Sequence, residues 1–301
     1  YISIRISKSI ADPVKLLVKN FKNIAHGDLS SNIKIDTKNE IGELSNAFLE
    51  IQKGIRFIII QSKRVAAGKF NTALTPFSDR EELTHAFNEM ASQLQEAKVK
   101  TDKENWIQSG INGLDDQMRG NFSVRELSDR IIKYLSQFLN IEMGAVYVFD
   151  EMLEHLELTG SIGLNTSEVS KIVQPGGGGL IAKAASENSL QIVKTKEKFH
   201  KIYSSTGEII PQSIYFLPMQ YMNQIQAVIE MAPVNELSHE KLDYLERVKN
   251  RISINLNASV ARYRSNELLE QTTKQAEELK QREEELQERL EENQRIQNEL
   301  I

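Results

Sequence analysis

The stretch NEIGELSNAFLEIQKGIRFII, residues 39–59, decides how the N-terminal third of the chain folds. Its apolar residues recur at intervals of three and four, at Ile41, Leu44, Phe48, Ile51, Ile55 and Ile58. This is the heptad spacing of a narrow apolar seam, which an isolated helix would leave exposed to water. The stretch therefore predicts a helix that begins near Asn39 and pairs with another helix.

The residues before this stretch predict a helix–connector–helix unit. Pro13 suits the first turn of a helix, because the first N–H groups of a helix have no partner within it and proline has no N–H. Apolar residues follow Pro13 at helical spacing, and Gly27 predicts the end of this first helix. A polar connector then leads from Gly27 to Asn39.

The unit repeats weakly along the chain. NEIGELSNAF (39–48) matches DREELTHAF (79–87) when Leu44 is aligned with Leu83 and Phe48 with Phe87, an offset of 39 residues. GDL (27–29) matches GKF (68–70) at an offset of 41. The second copy continues at heptad spacing through Leu83, Phe87, Met90, Leu94, Ala97 and Thr101.

Residues 10–56 resemble a HAMP domain, the relay module found just inside the membrane in bacterial sensor kinases and chemoreceptors. Pro13 and Gly27 match the proline and glycine of that family, and NEIGEL matches its D/N-E-x-G motif through Glu40 and Gly42. In the second copy, residues 57–101, Glu81 stands in place of this glycine, so the copy is only HAMP-like.

The resemblance implies a parallel homodimer in which four helices pack around one axis. SKSIADPV (7–14) is similar to the junction between a membrane helix and a HAMP domain, which makes residues 1–9 a membrane-proximal junction and implies an upstream transmembrane helix. A small rotation or shift between two packings would carry the signal. A rigid spacer is the alternative.

Charge and chain ends fit a place beside a membrane. The first 26 residues hold five Lys or Arg and one Asp, a net charge of +4, as the positive-inside rule expects on the cytoplasmic side of a bacterial membrane; an ordinary solvated helix face is equally compatible. No run approaches the ~18 apolar residues that cross a bilayer. The chain begins at Tyr1 and stops at Ile301 within a helical pattern, so we expect a piece of a longer protein.

Composition argues against several kinds of chemistry. The chain has no cysteine, which excludes disulfides, zinc–thiolate sites and cysteine nucleophiles. Its five histidines show no zinc-binding spacing, so we expect no metal site. A net charge of −5 argues against a nucleic-acid partner. We find no catalytic constellation and expect no cofactor.

Residues 102–120, which include Trp106, predict a connecting helix, and residues 121–261 then predict an α+β domain with helices to one side of an antiparallel sheet. A helix is expected over 123–139, strands over 143–151, 155–163 and 189–195, a hairpin over 213–222 and 225–234, and a long helix from near Ser238. This order, with phrases such as GAVYVF (144–149) and PGGGGLIAKAASENSLQIV (175–193), resembles a GAF domain, a small-molecule-binding and relay module.

The glycine run 176–179 raises the question of whether the domain binds a phosphate group. No Lys-Ser or Lys-Thr follows it, so it is not a P-loop, and we expect a turn that leads into a helix. The cyclic-nucleotide motif of GAF domains is missing, as are the cysteines of bilin-binding and methionine-sulfoxide-reducing relatives. A small-molecule pocket would be lined by Tyr147, Phe149, Leu158, Ile181 and Tyr215, although aromatic residues on a sheet more often form core.

The last helix and the tail complete the prediction. Ser238-His239-Glu240 resembles the start of a histidine-kinase phospho-acceptor box, but the rest of that box is missing, so we interpret Ser238 as a helix N-cap. Residues 262–301 carry a soft heptad that predicts a coiled coil, which in hybrid kinases leads to a PAS, kinase or receiver module.

The sequence as a whole predicts all-α parallel four-helix HAMP bundles in a dimer, then an α+β GAF domain, then a coiled coil. Its expected function is intracellular signal relay in a membrane-bound bacterial sensor histidine kinase. Two alternatives stay open: a small-molecule-binding GAF module that its flanking helices dimerise, and the cytoplasmic part of a chemoreceptor-like protein.

Overall fold

The computed structural model describes residues 7–31, 34–76, 81–164, 170–195, 202–204 and 207–299. The chain divides into two compact units, Tyr1–Asp102 and Lys103–Ile301. Most of the junction predicted over residues 1–9 lies outside the described residues, as do Asp79 and Arg80 of the repeat and Ile301 of the tail.

The first unit consists of helices joined by extended connectors. A π-helical turn, Ser7–Ala11, leads into α1 (Asp12–Ala25), and α2 (Glu40–Ala66) and the beginning of α3 (Glu82–Met118) follow. Asn39 caps α2, because its side chain accepts a hydrogen bond from the Gly42 N–H at 3.4 Å. The predicted helix start near Asn39 is therefore confirmed.

The weak sequence repeat is a repeat of structure as well. After α1 the Gly27 N–H donates to the Ile24 carbonyl at 2.8 Å, and after α2 the Gly68 N–H donates to the Val65 carbonyl at 2.8 Å. Both glycines have positive φ, +86° and +80°, which favours glycine at these positions. The buried positions also recur, since Ser45, Phe48 and Gln52 correspond to Thr84, Phe87 and Ala91 at the offset of 39.

The second unit is built on an antiparallel sheet with helices on both faces. After the C-terminal part of α3 come α4 (Val124–Leu139), β1 (Met143–Asp150), β2 (His155–Ile162), β3 (Ile172–Val173), α5 (Leu180–Glu187), β4 (Gln191–Lys194), β5 (Ile202–Ser204), β6 (Gly207–Ile209), β7 (Ser213–Tyr221), β8 (Gln224–Ala232) and α6 (His239–Glu299). The main sheet has the order β3-β2-β1-β8-β7-β4, and β5 and β6 form a separate pair. The predicted helices and strands occur in the predicted order, and the short strands β3, β5 and β6 are additions that the sequence analysis did not predict.

Two clusters of apolar residues lie on opposite faces of this sheet, because successive strand residues point to opposite sides. One face carries Val146, Leu217 and Ile229 and packs against α3, α4 and α6. The other carries Tyr147, Phe216 and Val228 and packs against α5. The expectation of helices to one side is therefore wrong, since α5 covers the second face.

Residues 102–120, predicted as a connecting helix, pack as part of the second unit. Ile107, Ile111, Leu114 and Met118 on α3 are buried in the same core as α4 and α6. Their spacing of three and four puts them on one face of the helix. This stretch of α3 thus contributes to the domain core.

Candidate functional site

The start of α2 lies directly against the connector that precedes it. A Cβ atom at Gly42 would lie 1.8 Å from the carbonyl oxygen of Thr37 and 2.9 Å from its carbonyl carbon. Only glycine permits this approach without a shift of the main chain. Glu40, in the first turn of α2, is placed where the helix dipole favours a negative charge. Pro13 lies in the first turn of α1, as predicted.

Polar side chains of α2 hold the main chain of the connector. The Gln52 side-chain amide donates to the carbonyls of Leu29, at 2.9 Å, and Ser31, at 2.5 Å. The Ser45 hydroxyl accepts from the Ile35 N–H at 3.1 Å. Gln52 is only 3% exposed and Ser45 is fully buried, so the two side chains take the place of water for a connector with few main-chain partners of its own.

The second copy holds its connector with a different residue. The Asn88 side chain accepts from the Leu74 N–H and donates to the Leu74 carbonyl, both at 2.8 Å. Thr84, which corresponds to Ser45, donates instead to the Glu81 carboxylate at 2.6 Å. The position that is Gly42 in the first copy therefore holds a hydrogen-bonding carboxylate in the second, which fits the weaker motif there.

Within one chain, part of the heptad seam is exposed to solvent. Leu44 and Ile51 are 46% and 53% exposed, whereas Phe48 is buried and meets Phe21 edge-to-face at a centroid distance of 4.7 Å. On α3 the corresponding Leu83, Met90 and Leu94 are exposed as well. An open groove of about 810 Å³ adjoins the exposed seam, and it is lined in part by Ile51, Ile55, Phe57, Ile58 and Leu83.

In the second unit, the sheet face under α5 holds four of the five residues predicted for a pocket. Tyr147, Phe149, Leu158 and Ile181 belong to or pack against its apolar cluster. Tyr215 lies on the opposite face, where its hydroxyl accepts a hydrogen bond from the Leu237 N–H at 3.0 Å. The prediction was wrong for Tyr215, because residues 214 and 216 of β7 point toward α5 and residue 215 points away.

An acidic residue that the sequence analysis did not single out lies on the same face. Glu230 of β8 pairs across the sheet with Ala145 on one side and Phe216 on the other. Burial raises the pKa of its carboxyl group from 4.5 to about 7. Burial, and secondarily the Glu230 charge, raise the pKa of the Tyr147 phenol. The detectable signal was an acidic residue at an inward position of the apolar strand IQAVIEMAPV (225–234).

The glycine run forms a turn into α5, as predicted. Gly179 is the N-cap residue of α5 and has a φ of +125°, and Gly176 has a φ of +85°. His239 is the first residue of α6, and the Ser238 hydroxyl accepts from the Lys241 N–H at 3.5 Å. No cluster of metal-ligating side chains occurs among the described residues.

The comparison with protein families addresses the first unit. Residues 5–57 match the model of the HAMP domain. This segment is a HAMP domain. The match includes Pro13, Gly27, Glu40 and Gly42, and it leaves the HAMP-like copy that follows outside its bounds. Within the described part of the chain, every helix is too short or too polar to serve as a membrane span.

Other known proteins resemble larger parts of the chain. The methyl-accepting chemotaxis protein McpA of Bacillus subtilis is 27% identical over 158 residues, which are 52% of this chain and 22% of McpA. The chain thus corresponds to less than a quarter of the length of this relative.

Among solved structures, the GAF domain of an Acinetobacter phosphoenolpyruvate-protein phosphotransferase is 15% identical with a TM-score of 0.43, covering 52% of this chain and 95% of that one. The free methionine-R-sulfoxide reductase of Neisseria meningitidis is 12% identical with a TM-score of 0.40, covering 53% and 90%.

The observed element order of the second unit and its antiparallel sheet make it an α+β domain. The match of residues 5–57 to the HAMP family indicates a part in signal transduction.

Proposed function

We propose that the chain is a parallel homodimer that relays conformational changes inside a transmembrane sensor histidine kinase. The observation that carries this proposal is the open seam of the HAMP domain. Leu44 and Ile51 are exposed to solvent, whereas Phe48, which lies between them in the seam, is buried within the chain. A second copy that contributes the same seam would bury both, as heptad positions require.

The surroundings of the HAMP domain support the rest of the proposal. The basic residues before Gly27 fit a position just inside a membrane, with a transmembrane helix upstream. On α6, Leu269, Leu279, Leu286 and Leu290 are exposed at the spacing of a soft heptad, which supports a coiled coil that leads to an output module. We expect that module to be a PAS, kinase or receiver domain.

Disulfide crosslinking in this cysteine-free chain tests the homodimer. We expect Leu44→Cys and Ile51→Cys to crosslink rapidly between copies on mild oxidation. Asn46→Cys is the matched control, because Asn46 is exposed and lies about 200° around the same helix from Leu44 at ~100° per residue. A rate that does not depend on which face carries the cysteine would contradict the seam and favour a GAF module that binds a small molecule.

A chemoreceptor-like protein is the second candidate, and the similarity to McpA favours it. Two chimeras separate the candidates, with residues 1–301 placed between a membrane-spanning sensor and either a histidine-kinase catalytic part or a chemoreceptor tip. The kinase proposal expects stimulus-dependent autophosphorylation in the first chimera. Stimulus control in the second chimera alone would assign the chain to a chemoreceptor.

A further inference from the structure

In the second unit, one main-chain carbonyl of the helix that enters the domain accepts hydrogen bonds both from α4 and from the helix that leaves the domain. The hydroxyl groups of Tyr134 on α4 and Tyr244 on α6 both donate to the carbonyl oxygen of Gly110 on α3, at 3.0 and 3.1 Å. Tyr244 is fully buried. Since the acceptor belongs to the main chain, these bonds fix the position of the α3 backbone itself, whatever rotamers its side chains adopt.

The contact depends on the absence of side chains from α3. A Cβ atom at Gly110 would lie 2.3 Å from a ring carbon of Phe138 and 2.7 Å from one of Tyr244. At Gly113 it would lie 2.1 Å from the Tyr134 hydroxyl oxygen. Glycine in the middle of a helix is unfavourable, so the close approach of the aromatic rings explains why two glycines occur here.

Aromatic stacking extends the contact by one turn toward the start of the unit. Trp106 on α3 stacks on Phe138 of α4 with centroids 4.7 Å apart and an angle of 17°. Phe138 in turn lies 4.9 Å from the ring of Tyr244. The three helices therefore meet in one aromatic cluster around Gly110.

Ion pairs flank this cluster on both sides. Lys103 pairs with Asp243 at 2.9 Å, and Glu104 accepts two hydrogen bonds from the Arg247 guanidinium, at 2.9 and 3.1 Å. Further along, Asp115 pairs with Arg251 at 2.7 Å. The residue numbers of the partners increase together, so the two helices run in the same direction, and a shift of one along its axis would strain the contacts with the other.

We propose that Gly110, Tyr134 and Tyr244 form a positioning latch that sets the register between α3 and α6, and that signals pass through this latch directly from the entering to the leaving helix. The proposal rests on the relay function proposed above. It assigns the two tyrosines a role in transmission and not only in the stability of the core.

The test uses the full 301-residue chain with Leu279→Cys, whose crosslinking rate between copies reports on the leaving helix. The input is perturbed by Gly42→Ala in the HAMP domain. We expect this substitution to change the Leu279→Cys crosslinking rate at least threefold. In the double variant Tyr134→Phe/Tyr244→Phe, which keeps both rings, we expect the change to disappear.

Two controls separate transmission from folding. Tyr263→Phe alters an exposed tyrosine on α6 (61% exposed) and is expected to retain the full response. Fluorescence of Trp106, the single tryptophan, checks that the double variant still folds. The milder tyrosine changes are preferred to Gly110→Ala, whose clash with two rings endangers folding.

The outcomes are distinct. A folded double variant that still passes the full response overturns the latch and leaves the relay intact. If Gly42→Ala does not change the Leu279→Cys crosslinking rate in a chain that keeps both tyrosines, the relay is overturned, and with it the latch as a signalling element. Loss of the response in the double variant alone supports the latch.

Discussion

Replacing Glu230 by Gln should remove a pH dependence of stability that originates on the sheet face under α5. Below pH ~4.5 the carboxyl group is neutral in both the folded and the unfolded chain. As the pH rises, the unfolded chain ionises first, because burial raises the pKa of the folded group to about 7. The contribution of Glu230 to the free energy of unfolding is therefore fully present at low pH. It decreases as the pH rises, until the carboxyl group of the folded chain ionises as well.

The magnitude follows from the two pKa values. A rise from 4.5 to about 7 corresponds to a loss of about 3 kcal/mol in the free energy of unfolding at 1.36 kcal/mol per pKa unit. Most of this loss, about 2.5 kcal/mol, falls between pH 5 and pH 8. This is large beside the ~5–15 kcal/mol that stabilises a typical domain.

Urea unfolding at pH 5 and pH 8, followed by Trp106 fluorescence, measures the effect, because Trp106 lies in the same unit as Glu230. From pH 5 to pH 8, we expect the free energy of unfolding of Glu230→Gln to rise by about 2.5 kcal/mol relative to that of the wild type. Glu246→Gln, at an exposed position of α6, is the control. Stability curves of wild type and Glu230→Gln that stay parallel from pH 5 to pH 8 would refute the reasoning.

Two further predictions concern the HAMP domain, and both are measured as free energies of unfolding. Gly42→Ala should destabilise the protein by more than about 1 kcal/mol, because the added Cβ would meet the Thr37 carbonyl. Gly54→Ala in the same helix is the control: a Cβ there would have no atom within 4 Å, so the substitution should stabilise the protein by ~0.5–1 kcal/mol. Equal effects of the two substitutions would contradict the steric argument. Gln52→Ala should cost about 2 kcal/mol, because the Ser31 carbonyl loses its side-chain donor and the Leu29 carbonyl keeps only Arg56. Gln93→Ala, at an exposed glutamine on α3, should cost little. A Gln52→Ala variant as stable as the wild type would show that water replaces these bonds.

The elements of the fold were largely predictable, because the spacing of apolar residues alone sets them. The heptad from Ile41 to Ile58 predicted α2, and the two mostly apolar runs 213–222 and 225–234 predicted the hairpin of β7 and β8. Spacing does not assign a strand residue to one face of the sheet, however, unless the register is known. Tyr215 was therefore placed with the wrong cluster, although its strand was predicted.

The residues that hold the units together were harder to predict, because their partners are main-chain groups far along the sequence. Gln52 and Ser45 have the composition of a solvated helix face, and nothing local shows that they bind a connector about 10 to 23 residues away. Gly110 accepts from Tyr244 across 134 residues. Glu230 was the exception, since an acidic residue inside an apolar strand is visible in the sequence.

The 27 residues of α2 belong to both copies of the repeat, the first half to one and the second half to the other. Each residue of an α-helix turns the chain by about 100°. An insertion of one residue after Arg56 would therefore rotate the second copy by that angle, while Gln52 and Arg56 keep their hydrogen bonds to the Leu29 carbonyl and Ile58 keeps its place in the apolar cluster of the second copy. An insertion of seven residues would nearly restore the original angle. The length of this helix thus sets the rotation of the second copy about the helix axis, and homologous modules could replace one another only if their helix lengths differ by about a multiple of seven residues.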